Sequence, residues 1–170
     1  MIPELRTERL VMRGWRHDDI EALAPFWMDP DTAAYIGGAV ASEGEAWRKM
    51  AIMAGHWSLR GFGFWVMQKH DDPTPIGFAG LWYPVDWPEP EVGWSVLKQH
   101  QRQGYALEAA RAAMRYAQGL GWTTLISVIH KDNAASKGVA EKLGARYERD
   151  FDIRGVPAEI YRHRPLQSER

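Results

Sequence analysis

The chain contains no cysteine, which removes disulfides, thiolate metal sites and a covalent acyl-cysteine intermediate and fits a reducing compartment. It also lacks a long apolar run. Its start, Met1-Ile2-Pro3-Glu4-Leu5-Arg6, reaches charge at once, so neither a signal peptide nor a spanning helix is predicted and a cytoplasmic protein is expected. Net charge is nearly absent as well: at −1 over 170 residues there is no global field to hold a nucleic-acid backbone, and neither nucleic acid nor membrane is expected as a partner. Several chemical signatures are missing too. There is no Gly-Lys-Ser/Thr phosphate loop, no triple-glycine dinucleotide fingerprint, no Gly-x-Ser-x-Gly elbow and no His/acid set with metal-ligand spacing. The chemistry is left to oxygen and nitrogen groups, without a catalytic metal.

What is present is the composition of a soluble globular protein, 45% hydrophobic and 25% charged, and residues 1–170 are expected to fold as a single domain. The pattern is mixed α/β. Arg9 to Trp15 reads as a strand, after which His17-Asp18-Asp19 caps a helix running toward Trp27. Ser42 opens a second helix through about Leu59, with Trp47, Met50, Met53, Ala54 and Trp57 at helical spacing. Phe62 to Lys69 and Pro75 to Tyr83 form a hairpin, and a proline-rich loop leads to a strand from Glu91 to Leu97. Its alternation sets Val92, Trp94 and Val96 against Glu91, Gly93 and Ser95. Gly104 to about Gly119 is helical, Trp122 to Ile129 is a strand, Asn133 to Leu143 a short helix, and Arg146 to Ile153 with Pro157 to His163 a closing hairpin.

Where the strand ending at Leu97 gives way to a helix, Gln101-Arg102-Gln103-Gly104-Tyr105-Ala106 forms a short glycine-containing loop. Such a junction gathers unpaired backbone N–H groups at the positive end of a helix dipole, which suits an anion such as a diphosphate. Gly104 allows close approach, Ala106 leaves room, and Arg102 supplies charge. On spacing alone, a glycine that merely begins a helix is an equal reading.

The residues carry a resemblance. Gln101-x-x-Gly104-x-Ala106 resembles the Gln/Arg-x-x-Gly-x-Gly/Ala signature of the GNAT acetyltransferases, and Gly104-Tyr105-Ala106-Leu107-Glu108-Ala109 resembles the version of their ribosomal-protein N-terminal acetyltransferase branch. Glu91-Val92-Gly93-Trp94 upstream, Asn133-Ala134-Ala135-Ser136 with Val139 to Gly144 downstream, and the opening Leu5-Arg6-Thr7-Glu8-Arg9-Leu10 resemble the same branch in the same order. Leu107 stands where the branch usually has threonine, and Gly138 where it has a longer polar residue. The resemblance implies a GNAT fold: a twisted, mostly antiparallel sheet of about seven strands with a parallel splay, flanked by about four helices. It further implies acetyl-CoA as cosubstrate, with the thioester in the splay between Glu91–Leu97 and 122–129, and it leaves room for a homodimer.

The coenzyme contacts so implied are the backbone of Val96 and Leu97, the turn from Gln101 to Ala106, and Asn133 with Ser136. A backbone N–H near Val96 or Leu97 would face the tetrahedral oxyanion. The attacking amine must be neutral. Deprotonation at pH 7 costs about 4.6 kcal/mol for a lysine amine but about 1.1 kcal/mol for an α-amine, which needs little more than water and a carboxylate. Glu91 is the expected base, the alternative being a solvated strand-edge charge. Ser136 is expected to protonate the departing thiolate while Asn133 bonds the pantetheine; ordinary N-capping by Asn133 is the alternative. His100 and His130 read as pH-sensitive contacts or as exposed loop residues. Trp15, Trp82, Tyr83, Trp87 and Trp94 are acceptor-pocket or core aromatics, of which Tyr83 and Trp87 are the expected acceptor contacts, with Asp86 and Glu89 available to draw a cation. The expected acceptor is a peptide, protein or small-molecule α-amine; a polyamine, an antibiotic amine or a non-catalytic coenzyme sensor are the alternatives.

Overall fold

Leu10, Val11 and Met12 are buried to 4% exposure or less, and the strand they make lies inside a sheet that spans the protein. In a computed structural model of the chain, residues 1–165 are described. Among them, the elements run β1 (Leu5–Arg6), β2 (Leu10–Arg13), α1 (Asp19–Met28), α2 (Pro30–Ala33), α3 (Glu43–Arg60), β3 (Phe64–Lys69), β4 (Asp72–Trp82), β5 (Glu91–Val96), α4 (Tyr105–Gly119), β6 (Ile126–His130), α5 (Ala134–Lys142), β7 (Arg146–Ile153) and β8 (Val156–Arg162). A single 3₁₀ turn at Lys98–His100 links β5 to the loop before α4.

The eight strands form one sheet in the order β1-β2-β3-β4-β5-β6-β8-β7. Every neighbouring pair is antiparallel except β5 and β6. That parallel pair is in register only at Glu91 and Ile126, beyond which the strands part. The sheet therefore has a splay at its middle.

The side chains sort as the period of two requires. Leu10, Met12, Trp65, Met67, Leu81, Val92 and Val96 pack with the buried alanines of α4 (Ala109, Ala110, Ala112, Ala113, Ala117), whose small side chains let the helix sit close. Phe64, Phe78 and Trp82 turn the other way, onto Ile20, Leu23, Phe26 and Trp27 of α1 and Ala46 and Met50 of α3. Burying a side chain such as Leu23 or Trp27 contributes about 1.5–3 kcal/mol. Helix boundaries follow local chemistry: Ser42 accepts from the Glu45 N–H to start α3, and Gly61 at φ 76° ends it.

The expected fold class is what the chain adopts, with finer differences. Among the described residues there are eight strands and five helices, because the two-residue β1 and the one-turn α2 carry too little periodicity to be read from sequence. The second splay strand begins at Ile126 rather than Trp122, since Trp122 turns away to pack edge-on against Phe62. Asp18 occupies the N-cap of α1 without a side-chain capping bond. Asp19 is instead drawn inward, where both its oxygens accept from the Arg13 guanidinium at 2.9 and 2.7 Å and one also accepts from the Arg16 N–H. Among the described residues no helix is long and apolar enough to cross a membrane.

Candidate active site in the strand splay

The ladder register decides which backbone groups face the splay. Leu97 N–H donates to Ile76 O at 2.9 Å, so the odd residues of β5 spend their backbone groups on β4 and the even residues, Val92, Trp94 and Val96, aim theirs toward β6. At the closed end, Ile126 N–H donates to Pro90 O at 3.0 Å. One step further the ladder is replaced by side chains. The Glu91 carboxylate takes the place of a strand carbonyl, its Oε1 accepting from Val128 N–H at 3.0 Å. Ser127 Oγ, likewise on β6, donates to Val92 O at 2.7 Å.

Glu91 is 7% exposed, and burial pushes its carboxyl up to about 8 even though two donors oppose the shift. Those donors are Val128 N–H and the indole N–H of Trp87, which lies 2.7 Å from Oε2. Gly93, next on the same face, lets the Phe64 ring pack close beside Glu91: a Cβ there would stand 3.1 Å from that ring and 3.7 Å from Glu91 Oε1. Ser127 is braced from behind by His163, whose Nε2 is 2.9 Å from the hydroxyl. Because the hydroxyl proton goes to Val92 O, His163 donates and its Nδ1 is left an unpartnered acceptor among the described residues. Burial and the neighbouring Arg162 hold His163 down to about 4, so it stays neutral.

At the far end of β5 lies the loop expected to hold an anion. Arg102 and Gly104 both adopt left-handed backbone, φ 60° and 84°. Gly104 is the N-cap of α4 and offers no side chain to the helix start. Among the described residues none of the N–H groups from Arg102 to Leu107 has a protein acceptor. Tyr105 and Ala106 open the helix, half-buried, whereas Gln101, Arg102, Gln103 and Gly104 are exposed. The Gln101 side chain folds back instead, its Nε2 donating to Val96 O at 3.0 Å.

Leu97 is corrected as a candidate oxyanion donor, since its N–H is already committed to Ile76. Val96 N–H is directed at the gap by the ladder alternation. Asn133 caps α5, its Oδ1 accepting from Ser136 N–H at 3.1 Å, and the Ser136 hydroxyl has no protein partner among the described residues. α5 lies on the α4 face of the sheet, where Trp94 packs against Ile129, Ala140 and Tyr161. Glu91 projects to the opposite face, so the gap between β5 and β6 separates the expected base from the expected acid.

Of the acceptor candidates, the structure brings Trp87 to Glu91 but not Tyr83. The Tyr83 ring lies under the Arg60 guanidinium at 5.1 Å, and its N–H donates to His56 Nε2 at 3.1 Å. Glu89 is not free to draw a cation either: Arg162 grips it at 2.6 and 2.7 Å and grips Glu148 at 2.6 and 2.9 Å. These bonds hold both carboxyls below their usual range. Asp86 faces Arg154 at 3.9 Å. Trp15 bonds Phe64 O and Trp82 stacks on His56, so both are core. His130 sits at the rim with its ring 5.1 Å from Tyr35, and half-buried His100 closes the 3₁₀ turn. Beside Trp87, whose ring meets Phe151 edge-on, an open cavity of about 560 Å³ is lined by Lys131, Asp150, Phe151, Asp152, Pro157, Ala158 and Glu159. Among the described residues no three His, Asp or Glu side chains cluster as metal ligands would.

Val128, Ser127, His163, Arg162 and the Arg9–Glu108 pair were not singled out by sequence. Their partners lie tens of residues away, and no spacing announces them.

Comparison with known proteins bears on the family and the fold. Residues 9–146 match the family model described as the acetyltransferase (GNAT) domain. The FsC-acetyl coenzyme A-N(2)-transacetylase of Aspergillus fumigatus is 30% identical over 88% of this chain and 67% of its own. An acetyltransferase structure from Agrobacterium tumefaciens superposes with a TM-score of 0.87 at 29% identity, covering 96% of this chain and 95% of that one. RimL, a ribosomal-protein alpha-N acetyltransferase solved with coenzyme A, superposes at 0.74 with 15% identity, covering 95% and 96%, a likeness of fold.

Proposed function

The chain belongs to the GNAT acetyltransferase family and is an acetyl-CoA-dependent N-acetyltransferase; on that premise we propose that it acetylates an α-amino group, with Glu91 as the base. The observation that carries this reading is the position of the Glu91 carboxylate, buried where β5 and β6 part and held by one donor from β6 and one from the Trp87 loop. The unpartnered amides from Arg102 to Leu107 hold the coenzyme diphosphate, with the Gln101 side chain fixing the edge of the gap. The thioester lies in the gap itself, and Val96 N–H faces the oxyanion that forms when the amine attacks.

In that step the amine nitrogen bonds to the acetyl carbon, the carbonyl electrons move to oxygen, and they return as the carbon–sulfur bond breaks. Glu91 accepts the proton that nitrogen must lose, directly or through one water. Ser136, at the start of α5 on the coenzyme face, supplies a proton to the leaving thiolate. The amine enters neutral, a state that costs an α-amine near 7.8 about 1.1 kcal/mol at pH 7 and a lysine side chain near 10.4 about 4.6 kcal/mol. Glu91, ionised above about 8, takes the proton as the new carbon–nitrogen bond forms.

Glu89 and Glu148, two carboxylates beside the Trp87 loop, are both committed to Arg162 and so are not free to hold a second positive charge of a polyamine. The relatives accord with an amide-forming reaction, one named for N(2) transacetylation and one for alpha-N acetylation of a ribosomal protein. The test is release of free coenzyme A across a panel of peptides with free α-amines, lysine side-chain amines and polyamines. Turnover confined to α-amines supports the proposal, and preference for polyamines removes it.

A further inference from the structure

We propose that Arg9 is a coenzyme-positioning residue, reaching from the β1–β2 link to set the diphosphate turn and offer it a directed donor; this rests on the acetyl-CoA reading above. Glu108, in the first turn of α4, holds it. One Glu108 oxygen accepts from Arg9 N–H at 2.8 Å and from the Thr7 hydroxyl at 2.5 Å, and the other accepts from Arg9 Nε at 2.7 Å. Burial alone would raise the Glu108 carboxyl, but the Thr7 and Arg9 donors outweigh it and hold it below its usual range. Above this clamp, Arg9 Nη1 donates to Gln103 O at 2.8 Å, and the guanidinium lies 4.6 Å from the Tyr105 ring centre.

Two consequences follow for the turn. Gln103 sits between the left-handed residues Arg102 and Gly104, and its carbonyl is pulled toward Arg9. That fixes the peptide so that the unpartnered N–H groups, and not a carbonyl, face the anion. The second concerns Nη2, which lies so close to Gly104 that a Cβ there would stand 3.1 Å away. It has no protein acceptor among the described residues, and the Arg9 side chain is 43% exposed. Because Glu108 cancels most of the charge at a distance, Arg9 acts through direction and contact rather than long-range attraction.

The experiment compares acetyl-CoA with acetyl-pantetheine, which has the thioester but no diphosphate. Initial rates are measured for the unsubstituted protein, Arg9→Ala, Arg9→Lys and Glu108→Gln, with folding checked by thermal melting. Arg9→Ala is expected to raise KM for acetyl-CoA about tenfold or more, leave kcat within about twofold, and leave KM for acetyl-pantetheine unchanged. Arg9→Lys is expected to recover little, because an ammonium cannot span Glu108 and Gln103 O together. It carries the comparison if Arg9→Ala fails to fold. A parallel rise in KM for both acyl donors, or no rise for acetyl-CoA, overturns the proposal. Calorimetry with coenzyme A separates the two readings: no binding by any form removes the acetyl-CoA reading, and binding indifferent to the Arg9 substitutions removes only this one.

Discussion

The indole nitrogen of Trp87 lies 2.7 Å from Oε2 of Glu91, and this contact joins a loop with no regular structure to the carboxylate at the centre of the sheet. A proton on Glu91 weakens what Trp87 donates to, and a charge on Glu91 strengthens it. The loop and the ionisation of the site are therefore coupled.

Replacing Trp87 by phenylalanine keeps a ring against Phe151 and deletes the donor. The Glu91 carboxyl then moves above about 8, because one of the two groups that oppose its upward shift is gone. The rising limb of the rate–pH profile is expected to move to higher pH, with kcat/KM near pH 7 lowered about tenfold, the worth of a hydrogen bond to a charged group. A pH–rate series on Trp87→Phe checks it; an unmoved limb contradicts it.

Stability carries the same signature with a definite sign. The Glu91 carboxyl is raised from 4.5 in the unfolded chain to about 8 in the folded one, so between those values the folded state holds the proton that the unfolded state has lost. Stability falls as pH rises through that window, at about 1.4 kcal/mol per pH unit at its steepest, and levels off above it. Urea melts of the unsubstituted protein and Glu91→Gln between pH 5 and about 9 are expected to show a difference between them that changes with pH. A constant difference would place the titration elsewhere.

Asn133 and Ser136 separate cleanly. Asn133→Ala removes the α5 cap and is expected to cost about 1 kcal/mol of stability. Ser136→Ala leaves that cap intact, since the bond runs to the Ser136 N–H, and is expected to leave the melting temperature nearly unchanged. Its kcat falls several-fold at most, because a thiol near 8.5 leaves fairly well unaided. Unchanged kcat at saturating amine would end the case for Ser136 as the acid.

Arg162 fastens the Trp87 loop to the β7–β8 hairpin through Glu89 and Glu148. Arg162→Met is expected to cost on the order of 1 kcal/mol in stability, as a half-exposed network does. Freeing two carboxylates is also expected to improve acetylation of polyamines relative to α-amines. An unchanged ratio of kcat/KM for spermidine and a peptide would show that these acids do not govern acceptor choice.

Features built from neighbouring residues were legible in the sequence. Gly104 at a strand-to-helix junction, Ser42 and Asn133 as caps, and Glu91 at a strand start each depend on residues within a turn or two. The partners that give Glu91 its environment were less accessible. Trp87 is four residues away but its orientation depends on the loop, and Val128 reaches Glu91 only because β6 crosses back parallel to β5. The availability of Val96 N–H and not Leu97 N–H depends on which β4 carbonyl sits opposite, a matter of register that residue identity does not encode. Glu108 entered only as part of the Gly104–Ala109 motif, and the returning β1–β2 link shows it as a clamp.

The most direct measurement is the pH dependence of kcat/KM for a peptide α-amine, on the unsubstituted protein and on Glu91→Gln, from pH 6 to about 9.5. Two ionisations must both be met, a neutral amine near 7.8 and an ionised Glu91 at about 8, so the logarithmic plot is expected to rise with a slope near two and level above both. Glu91→Gln is expected to lower kcat/KM on the order of a hundredfold and reduce that slope to about one, leaving the ionisation of the amine alone. A slope that stays the same in the variant would contradict Glu91 as the base.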